Sequence, residues 1–92
     1  MQTETKGRKL HDQAASYLGS KGFEHGDLGM YFPLGLPEDA HGIGLAFPDH
    51  AVSICFVHGV TFDRSPWIDC STKKQMTEVL DLLLFALKSI ST

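Results

Sequence analysis

The C-terminal stretch, residues 72–90, has the most regular pattern of hydrophobic positions in the chain. Its apolar residues recur at the spacing that places side chains on one face of a helix: Met76, Val79, Leu80, Leu83, Leu87 and Ile90. Thr72 and Gln75 have the spacing of a capping box at the start of such a helix. Leu82 and Phe85 widen the apolar stripe, so we expect a small sheet to cover this helix on most of its circumference.

A second, shorter helix is predicted over residues 7–21. Leu10, Ala14, Tyr17 and Leu18 mark its apolar face, and Gly22 directly afterwards is a good left-handed helix terminator. Residues 1–6 are polar and are expected to be frayed. His11 and Asp12 are expected to lie exposed on the polar face of the helix, since they fall outside the apolar stripe.

Between the helices, the hydrophobic pattern predicts an antiparallel sheet of three or four strands. The first predicted strand is 28–32, and the clearest hairpin joins residues 42–47 to residues 51–57, whose alternation favours a central strand. Residues 60–62 predict the start of a fourth strand. Residues 67–69 either extend this strand or form a bridge into the last helix. The whole chain, 1–92, is therefore predicted to be a single two-layer α+β domain of order α-β-β-β-(β)-α. If both helices cover one sheet face, the other face is available to a partner.

The charge of the chain is unevenly distributed although its net value is only −3. Residues 22–72 carry seven acidic residues and one basic residue, Arg64, whereas both flanks are mildly basic. An acidic centre argues against direct nucleic-acid binding and is compatible with a basic protein partner. The alternative explanation is that the acidic residues lie on loops and serve solubility.

Composition and cysteine use predict a cytoplasmic protein. Hydrophobic residues make up 42% and charged residues 21% of the 92 positions, as in ordinary globular chains. The first residues lack the hydrophobic region of a signal peptide, and the longest apolar run, 82–87, is too short to span a bilayer. The two cysteines are too few for a disulfide framework.

The sequence contains no motif that predicts catalysis, a cofactor or a metal site. Cys70 precedes a helix start, where a thiolate would be favoured, but the adjacent Asp69 works against thiolate formation. Cys55 is expected to be a core residue. The five histidines lack the close pairing of zinc ligands and are expected to lie mostly in solvated turns. We therefore predict a non-enzymatic protein without cofactor or metal.

Surface recognition is the remaining possibility. Arg64 and Trp67 lie on one predicted loop and belong to the residue types enriched at binding hot spots, although Trp67 could equally plug the end of the core. Tyr31 and Phe32 place one ring on each sheet face, so one ring is exposed if only one face is covered. The candidate protein-binding residues are Glu24, Asp27, Tyr31, Asp63, Arg64, Trp67 and Asp69.

By its size, acidity, αβ layout and lack of catalytic motifs, the whole chain resembles the small phage-encoded anti-CRISPR proteins that act on type I, Csy-like surveillance complexes. The resemblance implies stoichiometric inhibition in the host bacterial cytoplasm, with the acidic centre binding a basic, nucleic-acid-handling surface and interfering with target DNA. Two alternatives stay open. One is another small acidic interaction module, such as a toxin-immunity protein or a secretion chaperone, and the other is a small thiol- or metal-dependent enzyme.

Overall fold

The computed structural model describes residues 5–26, 29–34, 41–48, 50–59, 61 and 63–91. Within these ranges the chain forms two helices and five strands, in the order α1 (Lys6–Ser20), β1 (Phe23–His25), β2 (Met30–Pro33), β3 (Gly42–Ala46), β4 (Val52–Val57), β5 (Ile68–Cys70) and α2 (Lys73–Ser91). This order confirms the predicted α+β fold with a helix at each end. The sheet has one strand more than the upper bound of the prediction.

The five strands form one antiparallel sheet in which each strand pairs with the next along the chain, in the spatial order β1-β2-β3-β4-β5. The predicted hairpin is confirmed as β3–β4, whose pairs run from Gly42 opposite Val57 to Ala46 opposite Ser53. β4 lies between β3 and β5 and is therefore an interior strand, as its alternation predicts. β1 and β5 are the outer strands.

Both helices lie on the same face of the sheet. They contact each other, and both contact β4. The main core contains buried side chains from both helices and from this sheet face, which are Leu10, Ala14, Leu18, Tyr31, Ile43, Leu45, Val52, Ile54, Cys70, Met76, Leu80 and Leu87. Neither helix covers the opposite face of the sheet.

The helix ends follow local sequence signals. Thr5 caps α1 by accepting a hydrogen bond from the backbone N–H of Arg8 at 3.1 Å, and Gly22 after the helix has a φ of 88°, as predicted for a terminator. At α2, the N–H of Gln75 donates to Thr72 Oγ1 at 3.1 Å, but Gln75 Oε1 accepts from Ser71 at 3.2 Å. In the usual capping box this side chain accepts from the backbone N–H of the N-cap residue, here Thr72, whereas Gln75 accepts from the residue before Thr72.

The expectation that α2 is covered on most of its circumference is wrong. Met76, Leu80 and Leu87 are buried, but Leu82 is 68% exposed and Phe85 is 71% exposed. Two layers explain the difference, because the sheet lies beneath α2 and α1 lies beside it, and neither contacts the outer side of the helix.

Two details of the predicted sheet also change. β1 was not predicted, and the strand expected at residues 28–32 is observed as Met30–Pro33, with Leu28 outside the described residues. Val60 and Phe62 of the predicted fourth strand likewise lie outside them. The last strand is Ile68–Cys70, which pairs with β4.

Candidate protein-binding face

The sheet face opposite the helices, here called the open face, is defined by the register of the strands. Residues paired across antiparallel strands point to the same side of a sheet. Five pairs define the residues of this face: Glu24 with Phe32, Met30 with Gly44, Gly44 with Cys55, Gly42 with Val57, and Ser53 with Asp69. Arg64 joins them, because it forms an antiparallel bridge with Val57.

A small second hydrophobic cluster lies on the open face. Met30, Cys55 and Val57 are buried there, with the half-buried ring of Phe32 packed against them. Two glycines of β3 leave space for aromatic rings: a Cβ atom on Gly42 would lie 2.7 Å from the Phe32 ring, and one on Gly44 would lie 3.7 Å from Trp67. The open face is therefore lined by aromatic side chains instead of being covered by a helix.

Arg64 and Trp67 form a cation–π pair on this face. The guanidinium carbon of Arg64 lies 5.7 Å from the centre of the Trp67 ring. Trp67 is 41% exposed, so it both contacts the sheet and presents part of its ring to solvent. Of the two roles left open for Trp67, the structure favours the surface residue, since the ring lies on the open face and in neither hydrophobic cluster.

Ser65 fixes the segment that carries this pair. Its hydroxyl accepts a hydrogen bond from the backbone N–H of Phe56 at 2.9 Å, and its own N–H donates to the carbonyl of Phe56 at 2.9 Å. On the other side of Trp67, Ser53 Oγ donates to Asp69 Oδ1 at 2.5 Å. These bonds attach the segment to β4 at both ends, which pre-organises Arg64 and Trp67.

The structure places four of the seven candidate residues on one face, with Glu24 at the β1 edge and the other three at the β5 edge. Glu24, Arg64, Trp67 and Asp69 lie on the open face, and the exposed Asp63 directly precedes Arg64. Asp27 lies outside the described residues. Whether these residues bind a protein stays a prediction.

Tyr31 is the candidate that the structure argues against. Its side chain is only 7% exposed and packs in the main core beneath the helices, which leaves too little surface for an interface. The ring on the open face is that of Phe32, as alternation along the strand requires. Ser53 and Ser65 were missed as members of this region. Of these, only Ser53 has a sequence signal, its alternating position in β4.

Charge separates by layer in the described part of the chain. The helical layer, taken as α1 with its cap Lys21 and α2, carries seven basic and three acidic residues. The described strands and loops carry Glu24, Asp63 and Asp69 against Arg64 alone. The helical layer is thus basic, with a net charge of +4, whereas the described strands and loops carry a net charge of −2.

Both thiols lie in surroundings that disfavour the thiolate. Cys55 and Cys70 are both free and fully buried. Burial raises the pKa of each thiol, the Asp69 charge raises that of Cys70 further, and the nearby Arg64 charge only partly opposes the rise at Cys55. Since the thiolate is the nucleophile, this environment disfavours thiol catalysis.

Four of the five histidines lie against another aromatic ring, whereas His25, His50 and His58 are exposed, as expected for solvated residues. Ring centres lie 4.6 Å apart for His11 and Phe47, 4.9 Å for His25 and Tyr31, and 4.6 Å for His41 and His58. Among the described residues, no three or more His, Cys, Asp or Glu side chains are grouped so that they could hold a metal ion.

Comparisons with protein-family models, with curated proteins and with solved structures each found no match. Over the part of the chain that the structure describes, neither helix combines the length and apolar content of a membrane-spanning segment.

Proposed function

We propose that this protein is a non-enzymatic protein-binding domain that uses its open face to bind a basic surface on its partner. One observation carries the proposal: the half-exposed indole of Trp67, stacked with Arg64, lies on the sheet face that neither helix covers. Tryptophan and arginine are the residues over-represented at binding hot spots.

Pre-organisation makes this pair suitable for binding. The bridge between Arg64 and Val57 and the two bonds of Ser65 to Phe56 already fix the backbone of the segment. Ordering flexible side chains and loops on association costs free energy, so a segment held in place in the free protein loses less when it binds.

Electrostatics favour a basic partner. Glu24 and Asp69 on the open face, with the adjacent Asp63, outnumber Arg64. This negative excess would accelerate association with a positive surface and disfavour association with nucleic acid. A protein surface that handles DNA or RNA has the complementary charge.

The resemblance to anti-CRISPR proteins indicates the first partner to test, a type I CRISPR surveillance complex. In this proposal the acidic open face occupies a basic, DNA-handling surface of the complex and interferes with target DNA binding. The inhibition is stoichiometric, because the domain itself performs no chemistry.

The test is capture of a type I surveillance complex by the immobilised protein, followed by a target-DNA binding assay on the retained complex. We expect Trp67→Ala to weaken capture roughly 30-fold, since truncating a hot spot costs about 2 kcal/mol or more. Phe85→Ala is the control, because it removes an even more exposed aromatic ring, which lies on α2 away from the open face. Capture with loss of DNA binding supports the proposal, and capture without that loss moves the inhibited step to nuclease recruitment. No capture by the folded wild-type protein rejects the CRISPR partner.

The charge of the interface has its own test. Glu24→Lys with Asp63→Lys reverses two exposed charges on or beside the open face, and Glu78→Lys reverses one on the helical layer as the control. We expect only the first variant to bind more weakly, with a loss that shrinks as salt increases. Asp69 is left unchanged because Ser53 depends on it for a hydrogen bond.

A further inference from the structure

A groove of about 580 Å³ lies on the other side of the molecule, between the C-terminal half of α2 and the first two strands. Its volume falls within the range of small-molecule sites, roughly 300–1,000 Å³. Five apolar side chains form its walls, which are Phe23, Pro33, Leu84, Phe85 and Leu87. The groove is separate from the open face.

The walls present apolar surface that the fold itself leaves uncovered. Phe85 is 71% exposed although its neighbours Leu84 and Leu87 pack against the core, and Phe23 and Pro33 are only half-buried. Phe23 and Pro33 are paired across β1 and β2, so this wall belongs to the edge of the sheet. An unbranched apolar chain lying in the groove would remove this surface from water.

The polar rim of the groove has a positive excess. Lys21 and Lys88 line it together with one acid, Asp81. The Asp81 carboxylate already accepts a hydrogen bond from the Tyr17 hydroxyl, whereas neither lysine forms an ion pair within the described residues. Lys21 caps α1 and Lys88 lies in the last turn of α2, where ammonium groups are favoured by the helix ends.

We infer that this groove binds an amphipathic organic anion, a small molecule with an unbranched apolar chain and one carboxylate. The chain lies against Phe23, Leu84 and Phe85, and the carboxylate meets the ammonium groups of Lys21 and Lys88. Charge complementarity decides the sign of the ligand, because the groove belongs to the basic helical layer. The inference is independent of the proposed function, since it uses the opposite side of the protein.

Decanoate is a suitable probe, and decylamine is its control of equal chain length and opposite charge. Both are titrated below their micelle-forming concentrations into the full chain, with backbone amide NMR shifts as the readout. We expect saturable decanoate binding with a Kd on the order of 1 mM or tighter, with shifts centred on residues 84–88. Decylamine is expected to bind about tenfold more weakly, as charge attraction becomes repulsion.

Two variants test the roles of the rim and the wall. Lys21→Gln with Lys88→Gln should lower decanoate affinity about tenfold, while Lys73→Gln with Lys74→Gln, at the other end of α2, should leave it unchanged. Phe85→Ala should weaken both probes. Equal affinity for the two probes, or no saturable binding, would overturn the inference. Lys21 and Lys88 would then serve only to offset the negative ends of the two helix dipoles. A wild-type dimer in sedimentation that Phe85→Ala converts to a monomer would also overturn the inference, with a second copy as the occupant.

Discussion

Ser53 and Asp69 are joined by a side-chain hydrogen bond of 2.5 Å that connects the interior strand β4 to the outermost strand β5. Ser53 is a buried polar residue of the described core and pairs with Asp69 in the sheet register. β5 has only three residues, all paired with β4, and it begins directly after Trp67. The bond therefore contributes to the stability of β5 and to the position of the exposed indole.

The two partners of this bond are expected to respond unequally to removal. Asp69→Ala leaves the buried Ser53 hydroxyl without its acceptor and should lower the free energy of unfolding by about 1–3 kcal/mol. Ser53→Ala leaves the exposed Asp69 carboxylate free to bind water and should cost only about 1 kcal/mol. Urea unfolding of the wild type and both variants measures which substitution lowers the free energy of unfolding more. A larger loss for Ser53→Ala would show that the bond is not the main role of Asp69.

The elements with long periodic patterns could be predicted from the sequence. α1, α2 and the β3–β4 hairpin each contain enough turns or alternations to define their own period. β1 could not, because Phe23, Glu24 and His25 are too few to show alternation and become a strand only by pairing with β2. Helical periodicity also identifies apolar positions without revealing how many layers cover them, which is why the exposure of Leu82 and Phe85 was missed.

The residue types of the candidate site could be predicted from the sequence, but the face of the sheet on which each residue lies could not. Arg64 and Trp67 stand out in the sequence because they are hot-spot residues on one predicted loop. Alternation places Tyr31 and Phe32 on opposite faces, but the register with β3 decides which face the helices cover. The pairing of Tyr31 with Ile43 assigns Tyr31 to the core, and that register is a tertiary property.

Two glycines in α1 should have opposite responses to alanine. Gly7 in the first turn lies against the β3–β4 connection, where a Cβ atom would be 1.8 Å from the Pro48 carbonyl oxygen and 2.7 Å from that of Ala51. Gly19 near the end of the same helix has no atom within 4 Å of such a Cβ. Both residues are helical, so the two sites differ in the space available for a Cβ atom.

We expect Gly19→Ala to raise the free energy of unfolding by about 0.5–1 kcal/mol, because alanine loses less conformational entropy in a helix. Gly7→Ala should lower it by about 1–3 kcal/mol or more, because backbone atoms must move to admit the methyl group. Thermal unfolding, with a Tm change of roughly 4–8 °C per kcal/mol, resolves both effects. A stabilising Gly7→Ala would contradict the close packing of α1 on the hairpin connection.

The contact between the helices should make stability depend on pH in the alkaline range. The Tyr17 hydroxyl of α1 donates a hydrogen bond to the Asp81 carboxylate of α2. This bond, assisted by desolvation and by the Asp81 charge, raises the pKa of Tyr17 above its ordinary value of 10.0. A folded-state pKa above the unfolded value means that the stabilisation is fully present below pH 10.0 and is lost as pH rises through the folded-state pKa.

Urea unfolding of the wild type and Tyr17→Phe between about pH 8 and pH 11 isolates this contribution. Burial also raises the pKa of Cys55, Cys70 and Tyr31, so stability should fall with alkaline pH in both proteins. The fall should be steeper in the wild type above about pH 10, since only it loses the bond to Asp81 by ionisation. Asp81→Asn, which retains an acceptor without the charge, should give an intermediate slope. Parallel curves for the wild type and Tyr17→Phe would mean that the phenol of Tyr17 titrates alike in the folded and unfolded chains, and that its bond to Asp81 does not join the two helices in solution.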